Sequence, residues 1–312
     1  MCIVDVNNIN RFQTSELAYV CPPRCALLIA KHPRQLVLIF ITINSFIGYV
    51  ALIQFTVVLP FEYYHKNIYH LIFLVVFGTY LLVNILYHYY KSCFTSPGFA
   101  PKVEGSPSCA HCEYYKPPIA HHCRECKRCV LRMDHHCFFI GQCVGLYNHR
   151  HFLQFVAFLG IGSLTALLSS LNTFWYNIVM VKRGTVFCDV VSDSYLLKKG
   201  LCMDEMGVIV MLFIMSASAI SWMGMFLGFI FAIWNCVLVS ADMTQVDCMK
   251  RGTWTATFQS MKNYENVKKN WINFLGLNRR ITFMRHILLP SNHIPIVKEE
   301  DFRQRISTIS VS

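Results

Sequence analysis

Residues 35–59, 68–90, 152–181 and 207–239 of this 312-residue chain each run for more than twenty residues without an Asp, Glu, Lys or Arg. A helix needs about 20 apolar residues to cross the hydrocarbon of a bilayer. Inside lipid every backbone N–H and C=O must be satisfied within the protein, which leaves the α-helix as the form such runs can take. Composition agrees: 54% of residues are hydrophobic and 14% charged, whereas soluble domains carry about 25% charged residues. The sequence therefore predicts an all-α integral membrane protein with four transmembrane helices.

The positive charges give the orientation. Of 28 Lys and Arg, 4 precede the first run, 1 lies in the first loop, 8 in the second, 4 in the third and 11 after the last run. Lys/Arg-rich short loops stay in the cytoplasm, so both termini and the second loop are cytoplasmic. The predicted organisation is a cytoplasmic N-terminus (1–34), helices 1 and 2 (35–90), a cytoplasmic cysteine-rich domain (91–151), and helices 3 and 4 (152–239) with a lumenal loop at 182–206. A cytoplasmic C-terminal region (240–289) and a polar, disordered tail (290–312) follow. The net charge of +11 is accounted for by topology and by attraction to anionic lipid headgroups. No C2H2 or RRM pattern accompanies it, so no nucleic-acid partner is expected. Residues 1–34 lack the short apolar core and cleavage site of a signal peptide.

The second loop holds the chemistry. Residues 109–143 contain seven cysteines and five histidines. Cys109-x-x-Cys112 and Cys123-x-x-Cys126 have the spacing that turns two thiolates toward one metal. Two closed zinc sites need eight ligands, and two Cys3His sites would use six of the seven sulfurs. Spacing does not say which thiol is left over. Local chemistry favours Cys137, because Asp134-His135-His136-Cys137 places a carboxylate and imidazoles immediately before a sulfur. A thiol is nucleophilic as thiolate, and an adjacent oriented imidazole favours that form.

At these residues the chain resembles the DHHC protein S-acyltransferase (palmitoyltransferase) family, whose cysteine-rich domain reads CxxC, a Lys-Pro turn, HHCxxC, a further Cys, Asp-His-His-Cys and a final Cys. The resemblance implies one zinc on Cys109, Cys112, His122 and Cys129 and a second on Cys123, Cys126, His136 and Cys143, two structural Zn2+ in all. It implies that Cys137 accepts the acyl group, that His135 is the general base and that Asp134 orients it. Asn148 and Phe152, at the start of the third run, also match. The implied co-substrate is acyl-CoA (palmitoyl-CoA), and the implied partners are membrane lipid and protein substrates with juxtamembrane cysteines.

Several positions depart from the family pattern. Phe138-Phe139-Ile140-Gly141-Gln142 stands where the family usually has Pro-Trp-Val-Asn-Asn, and Lys116-Pro117-Pro118-Ile119 where it has Lys-Pro-x-Arg. Ser96-Pro97-Gly98 replaces Asp-Pro-Gly, a helix-ending turn on physical grounds. Thr244-Gln245-Val246-Asp247 stands in for Thr-Thr-x-Glu, and a one-residue shift would put Thr244 at the second Thr, the position that resemblance implies touches the catalytic loop. Asn270 and Trp271 match the C-terminal motif, where a buried Asn caps free backbone groups.

Other residues read more blandly. His111 and His121 fall outside the matched ligand positions, and His149, Arg150 and His151 read as polar anchors at a helix mouth. Cys21, Cys25 and Cys93 are juxtamembrane thiols, either acylated or simply buried. Cys188 and Cys202 could pair in an oxidising lumen, and the loop 60–67 is assigned no chemistry. Small and hydroxyl residues in the third and fourth runs either pack helices closely or line an acyl cavity. The reading is thus a protein-cysteine S-palmitoyltransferase of the Golgi, endoplasmic reticulum or plasma membrane, acting through an acyl-enzyme on Cys137. A catalytically weak or silent zinc-binding membrane scaffold of the same fold is the alternative.

Overall fold

The computed structural model describes residues 33–100, 108–112, 114–179, 206–251, 261 and 263–296. Among these, four helices are long and apolar enough to cross a membrane: Arg34–Tyr63, Ile68–Phe94, His149–Ser169 and Val208–Ser240. The chain is a multi-pass membrane protein. The first span is α1 (Pro33–Ile53), a π-helical stretch (Gln54–Val58) and α2 (Leu59–Tyr63); α3 is Ile68–Phe94, α4 His149–Ser169 and α6 Met206–Ser240. Between α4 and α6 come α5 (Leu171–Phe174) and a second π-helical stretch, Trp175–Val179. Cys21, Cys25, Cys188, Cys202 and residues 297–312 lie outside the described residues.

The third run differs from the expected 152–181. Its helix starts at His149, drawing polar residues into the first turn, and stops at Ser169. There the Ser169 hydroxyl donates to the Ala166 carbonyl and the Ser170 hydroxyl to that of Leu167, local bonds that compete with the helical ladder. Ser170 leaves helical geometry at φ −92°, ψ 10°.

The described residues form two compact units. One comprises Ile41–Leu86 and Phe155–Ala232. Its core packs Ile53, Val57, Val58 and Phe61 against Val210, Ile214 and Ala217. In lipid, helix association rests on close van der Waals contact rather than on expelling water. The small residues supply it: a Cβ on Gly228 would lie 2.6 Å from the Gly160 amide nitrogen, and one on Gly224 2.6 Å from the Ser163 hydroxyl. At these glycines the small side chains serve close packing. Glu62, in the loop assigned no chemistry, is fully buried. It accepts bonds from the Thr173 amide (2.8 Å), the Thr173 hydroxyl (2.7 Å) and the Asn172 amide group (3.0 Å), and pairs with Lys66 at 3.1 Å.

The other unit holds the cysteine-rich lobe and the C-terminal segments. The lobe is built of three antiparallel hairpins: β1 (Ser108–Cys109) with β2 (Tyr114–Tyr115), β3 (Ala120–Cys123) with β4 (Arg128–Leu131), and β5 (His135–Cys137) with β6 (Gln142–Val144). After α6 come α7 (Gln245–Arg251), α8 (Tyr264–Leu275) and α9 (Phe283–His286). The Asn263 side chain caps α8 at its start, and Gly276, at φ +65°, ends it. As expected from the sequence, Asn270 caps α6, donating to the Ser240 carbonyl at 3.0 Å, while the Trp271 indole donates to the Ser240 hydroxyl. The disordered tail does not begin at residue 290: the Ile296 amide donates to the Asn273 carbonyl, and His293 Nε2 lies 2.7 Å from the Leu275 carbonyl. Hydrogen bonds to the last turn of α8, invisible in a polar and unpatterned sequence, tie these residues down.

Candidate active site and metal centres

Strand alternation sorts the ligands. Successive residues of a β-strand point to opposite faces, so neighbours in one strand serve different sites. In β3, His122 and Cys123 are adjacent; His122 joins Cys109, Cys112 and Cys129, and Cys123 joins Cys126, His136 and Cys143. Within each cluster the ligand atoms lie within 4.8 Å of one another. Register completes them, since His122 is paired with Cys129 and His136 with Cys143 across their hairpins.

The geometry fits zinc. Bonds of about 2.3 Å to sulfur and about 2.0 Å to nitrogen, arranged tetrahedrally, separate the ligand atoms by roughly 3.5–3.8 Å. His136 Nδ1 lies 3.6, 3.4 and 3.6 Å from the sulfurs of Cys123, Cys126 and Cys143. His122 Nδ1 lies 3.7 and 3.1 Å from those of Cys109 and Cys112, and the Cys112 and Cys129 sulfurs are 3.8 Å apart. Both clusters are Cys3His, and both offer Nδ1.

The same alternation sets Cys137 apart. In β5, His136 faces the second cluster, so His135 and Cys137 share the opposite face, and Cys137 belongs to neither cluster. Cys137 is 6% exposed. His135 Nδ1 lies 2.8 Å from Asp134 Oδ2, leaving Nε2 as the ring atom for the thiol. Asp134 is 1% exposed, and its Oδ1 accepts the Gln245 backbone amide at 2.7 Å. Burial pulls the His135 imidazole down, but its bonds to the Asp134 carboxylate and the Cys137 thiol outweigh this and raise it to about 9. Burial pushes the Asp134 carboxyl up, yet the nearby His149 and His135 imidazoles and the Gln245 amide hold it below its usual range.

The departures after Cys137 form a tight turn. Residues Phe138–Ile140 make one 3-10 turn, and Gly141 closes it at φ +65°, where a side chain would be strained and would strike Leu36. The Tyr89 hydroxyl donates to the Phe139 carbonyl at 3.1 Å. Gln142 Nε2 reaches the carbonyls of Ser92, Cys93 and Thr95 at 2.7, 2.9 and 3.0 Å, capping the end of α3. Phe138 and Phe139 stand out at 71% and 44% exposure beside the thiol.

Other expected residues fall into place. Thr244 does not reach Asp134; it exchanges reciprocal bonds with Asp247, whose carboxylate accepts the Thr244 hydroxyl and amide and whose amide donates back at 3.2 Å. This box caps α7 and leaves the next amide, that of Gln245, for Asp134. The His111 ring packs against that of His122 with centroids 4.8 Å apart and the planes tilted by 36°, and His121 lies 3.0 Å from Lys250 Nζ and 3.7 Å from the Asp247 carboxylate. His149 and His151 are buried against protein: His149 Nε2 meets Asn235 Oδ1 at 2.7 Å, and His151 Nδ1 meets His88 Nδ1 at 3.1 Å. Asn148 accepts the Gly145 amide and donates to the Cys143 carbonyl. Cys93 is buried, as the blander reading had it. Gln142, Tyr89 and the Gln245 amide had no sequence signal beyond the Thr-x-x-Asp spacing of a helix start.

A membrane-embedded helical protein carrying a two-cluster Cys/His lobe, with a spare thiol beside an Asp–His pair, is the class these observations define. The family model described as DHHC palmitoyltransferase matches residues 102–252, and the chain belongs to that family. It is 27% identical to palmitoyltransferase ZDHHC16A of Danio rerio over 290 residues, which covers 79% of this chain and 72% of that protein. Identity to palmitoyltransferase ZDHHC16 of Homo sapiens is 26% over 271 residues, covering 80% and 70%. Over 116 residues it is 40% identical to probable protein S-acyltransferase 16 of Arabidopsis thaliana, covering 30% and 41%.

Proposed function

We propose that the chain performs its family's S-palmitoyltransferase reaction through Cys137, taking the acyl group from acyl-CoA and passing it to cysteines of protein substrates. The observation that carries this reading is the placement of Cys137 and His135 on one strand face, with His136 and the metal cluster on the other. His135 Nε2 takes the Cys137 proton, and an imidazole raised to about 9 holds it at neutral pH. The Cys137 sulfur attacks the thioester carbonyl, a tetrahedral adduct forms, and it collapses with loss of the CoA thiolate, which takes the proton from His135. A client thiol then attacks the acyl-enzyme, giving its proton to His135, and Cys137 leaves as thiolate. Asp134, fixed by the Gln245 amide, holds the imidazole so that Nε2 faces the sulfur.

The residues Cys109, Cys112, His122 and Cys129 would hold one zinc and Cys123, Cys126, His136 and Cys143 the other. A zinc held there would tie its hairpins together, and four protein ligands would make its role structural. A sixteen-carbon chain gains on the order of 10 kcal/mol from lipid-like surroundings, at about 0.8 kcal/mol per CH2. That favours a reaction at the membrane surface, with the CoA phosphates toward cytoplasmic Lys and Arg. The setting we propose is the cytoplasmic face of the Golgi, endoplasmic reticulum or plasma membrane, with both termini cytoplasmic. The test is incubation with labelled palmitoyl-CoA: wild type should carry a hydroxylamine-sensitive label that Cys137→Ser lacks while retaining two zincs. Equal labelling of both proteins would remove Cys137 from the reaction.

A further inference from the structure

The stretch from residue 277 to 296 has no Asp or Glu, and it presents Arg279, Arg280 and Arg285 at the surface. Among them stand Phe283, Met284 and Leu289, exposed at 48%, 70% and 50%. Large apolar side chains interleaved with guanidinium groups need a cover that is apolar in one layer and anionic in the next. The backbone fixes where this stretch lies. Gln154 donates to the Ile287 carbonyl at 2.9 Å, and Arg150 donates to the carbonyls of Ser291 and His293 at 3.2 and 2.9 Å. Both side chains belong to the first two turns of α4, a membrane-crossing helix. The stretch is therefore held beside the end of a span, at the depth where headgroups meet acyl chains. Its turn is also built locally, since the Asn278 side chain accepts the amides of Arg280 and Ile281.

We propose that residues 279–289 bind an anionic lipid leaflet, with Phe283, Met284 and Leu289 entering the acyl boundary and Arg279, Arg280 and Arg285 meeting the lipid phosphates and carboxylates. Each basic residue near an anionic surface contributes about fivefold to association, an effect that salt screens. This surface is independent of the acyl-transfer chemistry, so its test does not read activity.

The experiment is hydrogen–deuterium exchange on the full chain in nanodiscs of phosphatidylcholine alone or mixed with phosphatidylserine, without acyl-CoA. Amides of residues 281–289 should exchange at least about fivefold more slowly with phosphatidylserine present, while those of the zinc lobe stay unchanged. The difference should vanish in the Arg279→Gln/Arg280→Gln/Arg285→Gln triple variant, and Phe283→Ser/Met284→Ser should speed exchange in both lipids. Raising salt on the wild-type protein should erase the same difference with no substitution at all. Equal exchange in the two lipids overturns the proposal, as does protection that appears only when CoA or a client protein is added.

Discussion

Replacing Asp134 by Asn keeps the shape of a residue that is 1% exposed and changes only what it can offer its two neighbours. One neighbour, the Gln245 backbone amide, is always a donor, so the Asn oxygen is best turned toward it. The Asn NH2 then faces His135 Nδ1 and forces that nitrogen to accept, which moves the ring proton to Nε2. An Nε2–H cannot take the Cys137 proton. Loss of general-base function costs roughly 10²- to 10⁴-fold. The opposite rotamer restores the tautomer but buries two donors against each other, at about 1–3 kcal/mol. The competent state is then depleted by about 5- to 150-fold, since 1.36 kcal/mol is a factor of ten. Either way, single-turnover formation of the acyl-enzyme from palmitoyl-CoA should slow by about fivefold or more, with two zincs still bound. A rate within about threefold of wild type, or loss of zinc from Asp134→Asn, would refute the tautomer argument.

Further outcomes follow from the same contacts. His135 is raised above its ordinary value to about 9, so its bond to Asp134 stabilises the fold below pH about 6.5 and loses that contribution as pH climbs through about 9; thermal midpoints at pH 7 and 9 should fall further for wild type than for Asp134→Asn. Cys123→Ser removes a ligand of the second cluster and should lose metal and the folded lobe together, measured by zinc content and near-UV circular dichroism. Gln142→Ala removes the side-chain donor to the carbonyls of Cys93 and Thr95 and leaves that of Ser92 with Asn148 alone; it should cost about 1–3 kcal/mol together with slower acyl-enzyme formation, because the turn after Cys137 loses its tie to α3. Glu62→Ala leaves Asn172 and Thr173 without their acceptor and Lys66 without its counter-ion, its Nζ keeping only the Ser169 carbonyl, and should destabilise by about 3–5 kcal/mol, read as a lowered thermal midpoint, while zinc content stays at two.

Much of this architecture was legible because its signals are local. Uncharged runs announce spans, and the Cys-x-x-Cys and His-Cys spacings name the ligand types, since a metal site selects its residues wherever they fall. The hairpins were not legible: strands of two to four residues are too short to show alternation, although that alternation divides His122 from Cys123 and His136 from Cys137. Long-range partners were hidden for another reason. Glu62 sits in a loop that reads as solvent-facing, and its acceptor oxygens are satisfied 110 and 111 residues away by Asn172 and Thr173. Likewise the Phe138–Gln142 substitutions look disruptive in sequence, yet Gly141 adopts the left-handed conformation the turn requires and Gln142 caps α3. His149 and His151 were read from their position at a helix mouth, where polarity ordinarily means contact with headgroups. Their burial follows from partners in α6 and α3, Asn235 and His88, that no pattern near residue 150 reveals.

The central claim is that two clusters consume eight donors and leave one thiol free for chemistry. Native mass spectrometry of the purified full chain after exposure to palmitoyl-CoA, followed by peptide mapping, reads both halves together. The account predicts two zinc ions and one palmitoyl group on the same molecule, with the acyl group on Cys137. An acyl group on any other cysteine, or a Cys137 that proves to be a zinc ligand, would contradict it.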